Sequence, residues 1–126
     1  MEKYLGIDWG EKRIGLALGD SETKIATPFK VVGDLVEVVK SIKEEEINKV
    51  IIGEPLGMAN VKGLMANEVI DFIHKLEKEI DVPIIKVDER LSSKGADALP
   101  GNKKEKSSRD EIAAMLILQT YLDRQN

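Results

Sequence analysis

GIDWGEKRIGLAL, residues 6–18, sets how the rest of this 126-residue chain is read. Its first half ends an apolar run over residues 3–9 that stops at Asp8-Trp9-Gly10. Its second half, residues 13–19, alternates. Ile14, Leu16 and Leu18 share one face, and Gly15 and Ala17 share the other, which is the two-residue period of a strand. The tight connector Gly10-Glu11-Lys12 makes the two runs an antiparallel hairpin. Gly6 and Gly10, on either side of Asp8, permit close backbone approach and a tight turn. Arg13 stands just across that turn, where a guanidinium can meet a phosphate in bidentate fashion. An ordinary glycine-rich hairpin has the same features, so this stretch alone sets structure rather than function.

Working outward, a third strand is expected over about residues 24–32. Pro28 within it implies an edge position or a bulge. Asp34 can cap a helix with apolar positions Leu35, Val38, Val39 and Ile42. Val50-Ile51-Ile52 reads as a compact strand ending at Gly53-Glu54-Pro55. A helix is expected over 61–79, with Val69, Phe72, Ile73 and Leu76 on one stripe. Pro83 punctuates, and residues 84–87 form a further buried strand. A short helix is expected near Ser92 or Ser93, before a lysine-rich loop opened by Pro100-Gly101-Asn102. The last helix is expected from Ser108, where Glu111 three residues on completes a capping box, to about Leu122. It is apolar nearly all round, as core or as a dimer interface. This order predicts an α/β fold: a mixed five-stranded sheet, three antiparallel strands then two parallel, with helices on its faces. The length is that of one domain, residues 1–126, with no linker or repeat.

Composition narrows the functional classes. Hydrophobic residues at 42% and charged residues at 33% describe a globular protein rather than a disordered or fibrous one. No apolar run approaches the roughly 20 residues of a membrane span, and MEKYLGIDWG lacks an apolar segment of signal-peptide length. With no cysteine, disulfides and thiolate metal sites are excluded and a cytoplasmic location is expected. One histidine excludes a multi-histidine zinc site, and His74 itself reads as a surface residue. Trp9 could stack on a base but reads more simply as a packing residue. The net charge of −4 argues mildly against a dedicated nucleic-acid binder. It leaves a nuclease open, since catalytic carboxylates are acidic. Locally, residues 86–109 carry seven basic and four acidic side chains, densest at Lys103, Lys104 and Lys106.

Acidic residues fall where the apolar strands end. Asp8 closes the first strand, Glu54 follows the fourth, Asp88 and Glu89 close the fifth, and Asp110 lies in the expected first turn of the last helix. Ligands of open α/β sheets bind at the carboxyl ends of parallel strands. Carboxylates gathered there would repel unless a hard cation, one or two Mg²⁺ or Mn²⁺ ions, neutralised them. Taken singly, each acid also fits a turn former, a solvated charge or a helix cap. The helix macrodipole alone would account for Asp110. Ala113 and Ala114 are small enough to let that helix approach the sheet closely.

The same residues carry a likeness. GIDWGEKRIGLAL, DERLSS (residues 88–93) and KSSRDEIAAMLILQTYL (residues 106–122) resemble, in order and spacing, the three signature blocks of the YqgF (RuvX) family, over essentially the whole chain. The resemblance implies an RNase H-like fold. It also implies a metal-dependent nuclease that hydrolyses phosphodiester bonds of structured RNA, the 16S rRNA precursor, or of branched DNA such as a Holliday junction. Carried over, Asp8, Glu89 and Asp110 are the catalytic, metal-binding carboxylates. Arg13 and Arg90 are the phosphate partners, with Lys103, Lys104, Lys106 and Arg109 as further nucleic-acid contacts. The chain departs from the family after the fourth strand, where Gly53-Glu54-Pro55 replaces a GLP sequence. Glu54 could therefore supplement or replace Glu89. Asp88 and Glu89 point to opposite faces if the strand stays extended, so the second carboxylate is left open among Glu54, Asp88 and Glu89. Two rivals remain: a non-catalytic nucleic-acid-binding or ribosome-assembly factor, and an actin-like ATPase, whose phosphate hairpin also begins Asp-x-Gly but which needs two domains. The expected protein is a monomer or homodimer without a membrane partner.

Overall fold

A computed structural model of the chain describes residues 1–54, 63–88 and 106–124. Strands β1 (Lys3–Asp8) and β2 (Ile14–Asp20) form the expected antiparallel hairpin. β3 (Thr27–Val32) adds to β2, also antiparallel. Helix α1 (Leu35–Glu44) follows, then β4 (Lys49–Glu54), helix α2 (Gly63–Glu79), β5 (Ile84–Asp88) and helix α3 (Lys106–Arg124). β4 runs parallel to β1, and β5 parallel to β4. The sheet order is β3-β2-β1-β4-β5.

Local chemistry explains the details. Pro28 lacks an amide hydrogen, so it suits an edge, and β3 is an edge strand. The ladder also shifts there: Leu16 faces Lys30 while Ala17 faces Pro28, which leaves Phe29 as the extra residue of a bulge. β3 begins later than the sequence suggests. Lys24 adopts a positive φ of 56°, which no strand accommodates, and belongs to the connecting loop. Asp34 caps α1 by accepting from the Glu37 amide at 3.0 Å. Glu37 in turn reaches back to the Gly33 amide at 2.9 Å.

Two cores lie on the two faces of the sheet. On one, Leu5, Ile7, Leu16, Val50 and Ile52 pack with Val38 and Ile42 of α1 and with Val69, Phe72, Ile73 and Leu76 of α2. Trp9 packs there too, its ring 6.3 Å from that of Phe72. On the other, Tyr4, Ala17, Ile51 and Val87 meet Ala114, Ile117, Leu118, Tyr121 and Leu122 of α3. That buried face makes α3 a core helix. His74 is exposed. Among the described residues no helix is long and apolar enough to cross a membrane.

The last helix differs from expectation at its start. It begins at Lys106, so Ser108 lies inside it and does not cap it. Lys106 and Ser107 are compatible with helix, and the turn continues upstream through them. Asp110 therefore sits beyond the first turn, where the macrodipole has largely decayed and no longer accounts for its presence. The short helix expected near Ser92 or Ser93 lies outside the described residues.

Candidate active site

The site begins with the pleat of β1. Leu5 and Ile7 are fully buried against α1 and α2. Tyr4 packs in the opposite core, and a Cβ added at Gly6 would stand 2.8 Å from both the Ala114 carbonyl oxygen and the Leu118 Cβ. Alternation therefore gives Asp8, the last residue of β1 and half-buried, the face covered by α3.

β2 supplies the second half. Asp8 is opposite Gly15 in the ladder, which puts their Cα atoms roughly 4.5–5.5 Å apart. A Cβ at Gly15 would overlap the Asp110 carbonyl, and the Glu111 amide nitrogen would stand 3.0 Å from it. The backbone of α3 thus rests on Gly15. This brings Asp110, distant in sequence, to the end of the hairpin where Asp8 lies. Ala17, next on that face of β2, is fully buried, and Ala114 is fully buried one turn along α3 from Asp110. Small residues on both surfaces make the approach possible.

Arg13 closes the arrangement. Its Nε lies 3.1 Å from Asp110 Oδ2, with the Arg13 side chain 51% and the Asp110 side chain 25% exposed. The N–H is not aligned on that oxygen. Oδ2 itself is buried and has no hydrogen-bond donor among the described residues. The contact is therefore one of charge, without the directional bond that usually accompanies it. A buried anionic oxygen lacking a donor costs free energy, and an oxygen-only set of this kind suits a hard divalent cation. Among the described residues no group of three or more His, Cys, Asp or Glu side chains could hold a metal ion. Asp8 and Asp110 both lie at this end of the hairpin, on either side of Gly15.

The remaining sequence candidates divide by location. Glu54 and Asp88 end β4 and β5 and are opposite one another in the parallel ladder, at the same sheet edge as Asp8. Lys106 and Arg109 fall in the opening turn of α3. Glu89, Arg90, Lys103 and Lys104 lie outside the described residues. The residue that the sequence reading passed over is Gly15. Its signal was present, since a glycine in a strand interior marks close approach of another backbone.

Comparison with known proteins adds an independent line. The family model described as RuvX: Holliday junction resolvase matches residues 2–124. A protein of Natranaerobius thermophilus named "Putative pre-16S rRNA nuclease" is 40% identical, covering 98% of this chain and 95% of the relative. One of Endomicrobium trichonymphae with the same name is 34% identical, covering 100% and 99%. Thermus thermophilus RuvC shares the fold with a TM-score of 0.63 over 98% of this chain and 96% of the other, at 16% identity. RuvC of the same organism in complex with Holliday junction substrate gives 0.55, also at 16%. The expected RNase H-like architecture is the one observed.

Proposed function

The chain belongs to the RuvX family, and on that footing we propose that it is a metal-dependent nuclease that hydrolyses phosphodiester bonds in maturation of the 16S rRNA precursor. The relatives' names favour this reading over a non-catalytic assembly factor and over an ATPase. A branched DNA junction is the second substrate class, favoured by the family model's description. The enzyme acts as one domain in the cytoplasm.

The observation that carries the reading is the placement of Asp8 and Asp110 against the same residue, Gly15, at the end of the first hairpin, with Asp110 Oδ2 buried and lacking a hydrogen bond among the described residues. In this reading Asp8 and Asp110 hold Mg²⁺ or Mn²⁺ together with a third carboxylate. Glu89 is the first choice, two positions past Val87, which belongs to the core beneath α3. Glu54 is the second choice, at the end of β4. Bound there, a divalent cation supplies Lewis-acid charge to the attacking water and to the departing 3′ oxygen. Arg13, half-exposed beside that edge, orients the scissile phosphate through its planar fork of donors. Arg90, Lys103, Lys104, Lys106 and Arg109 hold the flanking phosphates. Such contacts govern affinity and its salt dependence rather than sequence choice.

The test is cleavage of precursor 16S rRNA and of a four-way DNA junction by purified protein with Mg²⁺ or Mn²⁺, beside Asp8→Asn. Loss of cleavage with the fold retained is expected. Full activity in a folded Asp8→Asn protein would remove the mechanism. Binding without cleavage in the native protein would favour the assembly-factor reading.

A further inference from the structure

We infer that Arg13 and a divalent cation exclude one another at Asp110, so that Arg13 holds this carboxylate in the metal-free protein and is released toward substrate phosphate when the cation enters. The inference rests on the metal-binding reading of Asp8 and Asp110 above and adds, to the phosphate contact given to Arg13 there, a prior role at Asp110.

Three observations carry it. First, the Arg13 Nε approaches Asp110 Oδ2 at 3.1 Å, yet the oxygen has no hydrogen bond among the described residues. An ion pair without alignment, whose arginine is half exposed although the carboxylate oxygen is buried, is held weakly. Second, the two partners differ in freedom. The backbone of Asp110 is pinned on Gly15, where nothing larger than hydrogen fits. The Arg13 carbonyl oxygen lies close across the turn from Gly10, where a Cβ would come within 2.6 Å of it. The Arg13 side chain, 51% exposed against 25% for Asp110, is the partner with the more open path into solvent. Third, a cation and a guanidinium on one carboxylate oxygen repel each other, and burial of that oxygen limits screening by water. Once displaced, the guanidinium remains on the same turn as Asp8, where its charge suits a phosphate.

The experiment is calorimetric titration of Mn²⁺ into the full chain without nucleic acid, for the native protein, Arg13→Gln, Lys12→Gln and Asp110→Asn. Arg13→Gln should bind the ion roughly twofold to fivefold more tightly, which is the range expected on removing a half-exposed competing charge. Lys12 is exposed on the same turn, and Lys12→Gln controls for loss of positive charge as such. It should change affinity much less. In the native protein the Arg13 Nε–H NMR signal should move with added Mg²⁺ along the binding isotherm. That signal decides the question even if Arg13→Gln fails to fold. An Arg13→Gln affinity no tighter than that of Lys12→Gln, or an Arg13 signal unmoved while the native protein binds Mg²⁺, overturns the inference and leaves the metal site standing. Undiminished Mn²⁺ binding by Asp110→Asn, or none by the native protein, overturns the metal-site reading and the inference with it.

Discussion

Gly15 of β2 and Asp110 of α3 are so close that the Asp110 carbonyl occupies the space a side chain at position 15 would need. The helix is thereby set down at the end of the first hairpin, and the ladder partner of Gly15 is Asp8. The relationship links packing to chemistry: the same contact that seals one core also brings two carboxylates to one edge.

Gly15→Ala should therefore harm both stability and function. The added methyl meets backbone on both sides of the Asp110 peptide, which cannot rotate away as a side chain can. A loss of about 1–3 kcal/mol is expected, read from urea unfolding, together with a fall in cleavage as Asp110 shifts. Gly19→Ala is the contrast. Its methyl would lie 3.1 Å from Leu118 Cδ2 and 3.2 Å from Leu122 Cδ1, the movable ends of side chains. It should cost under about 1 kcal/mol. Equal losses for the two variants would remove the backbone argument.

Gln119 ties the β2–β3 loop to α3. Its Oε1 accepts from the Ala26 amide at 2.8 Å, and its Nε2 donates to the Lys24 carbonyl at 3.0 Å. Lys24 is at a positive φ that a lysine rarely adopts, so the clamp helps hold an unfavourable turn. Gln119→Ala should cost about 1–2 kcal/mol and accelerate hydrogen exchange at the Ala26 amide. Unchanged exchange there would show that the loop holds itself.

Ser41 lies at 1% exposure in α1, and its hydroxyl has no hydrogen bond among the described residues. Removing that oxygen removes a desolvated polar atom and improves helix propensity. Ser41→Ala should be neutral or stabilising by up to about 1 kcal/mol. A measured loss of stability would mean that the hydroxyl finds a partner in solution.

Asp20 accepts from the Thr23 amide at 2.7 Å, the Glu22 amide at 2.9 Å and the Thr23 hydroxyl at 3.1 Å. The Thr23 amide, ahead of the other contacts, holds its carboxyl below the ordinary aspartate value of 3.8. The unfolded chain then takes up a proton before the folded one does. The stabilisation is complete above that ordinary value and fades as pH falls through the lower folded value. Urea midpoints between about pH 6 and pH 2 should fall less steeply in Asp20→Asn than in the native protein. Parallel curves would refute the assignment.

Much of this architecture was legible in the residues. Strict alternation over Ile14, Leu16 and Leu18 defined a strand. Pro28 signalled an edge or a bulge, because an imino acid cannot donate to a ladder, and the structure has both. The helical stripe of Val69, Phe72, Ile73 and Leu76 is the face that α2 buries. These are local properties, carried by period and by missing donors. The start of α3 was less legible. The capping pattern at Ser108 satisfies the local rule, yet the helix already includes Lys106 and Ser107, both compatible with helix.

The sequence alone determined the order and kind of elements and which acids close strands, since periodicity and turn chemistry act over a few residues. Tertiary structure alone decided that Asp110 rests on Gly15, that Arg13 is its ion-pair partner, and that one face of α3 packs in the core. Those facts depend on the approach of surfaces nearly a hundred residues apart. Their cause is steric: helix backbone can touch strand backbone only where side chains are absent, and no local pattern states which distant helix will use the gap.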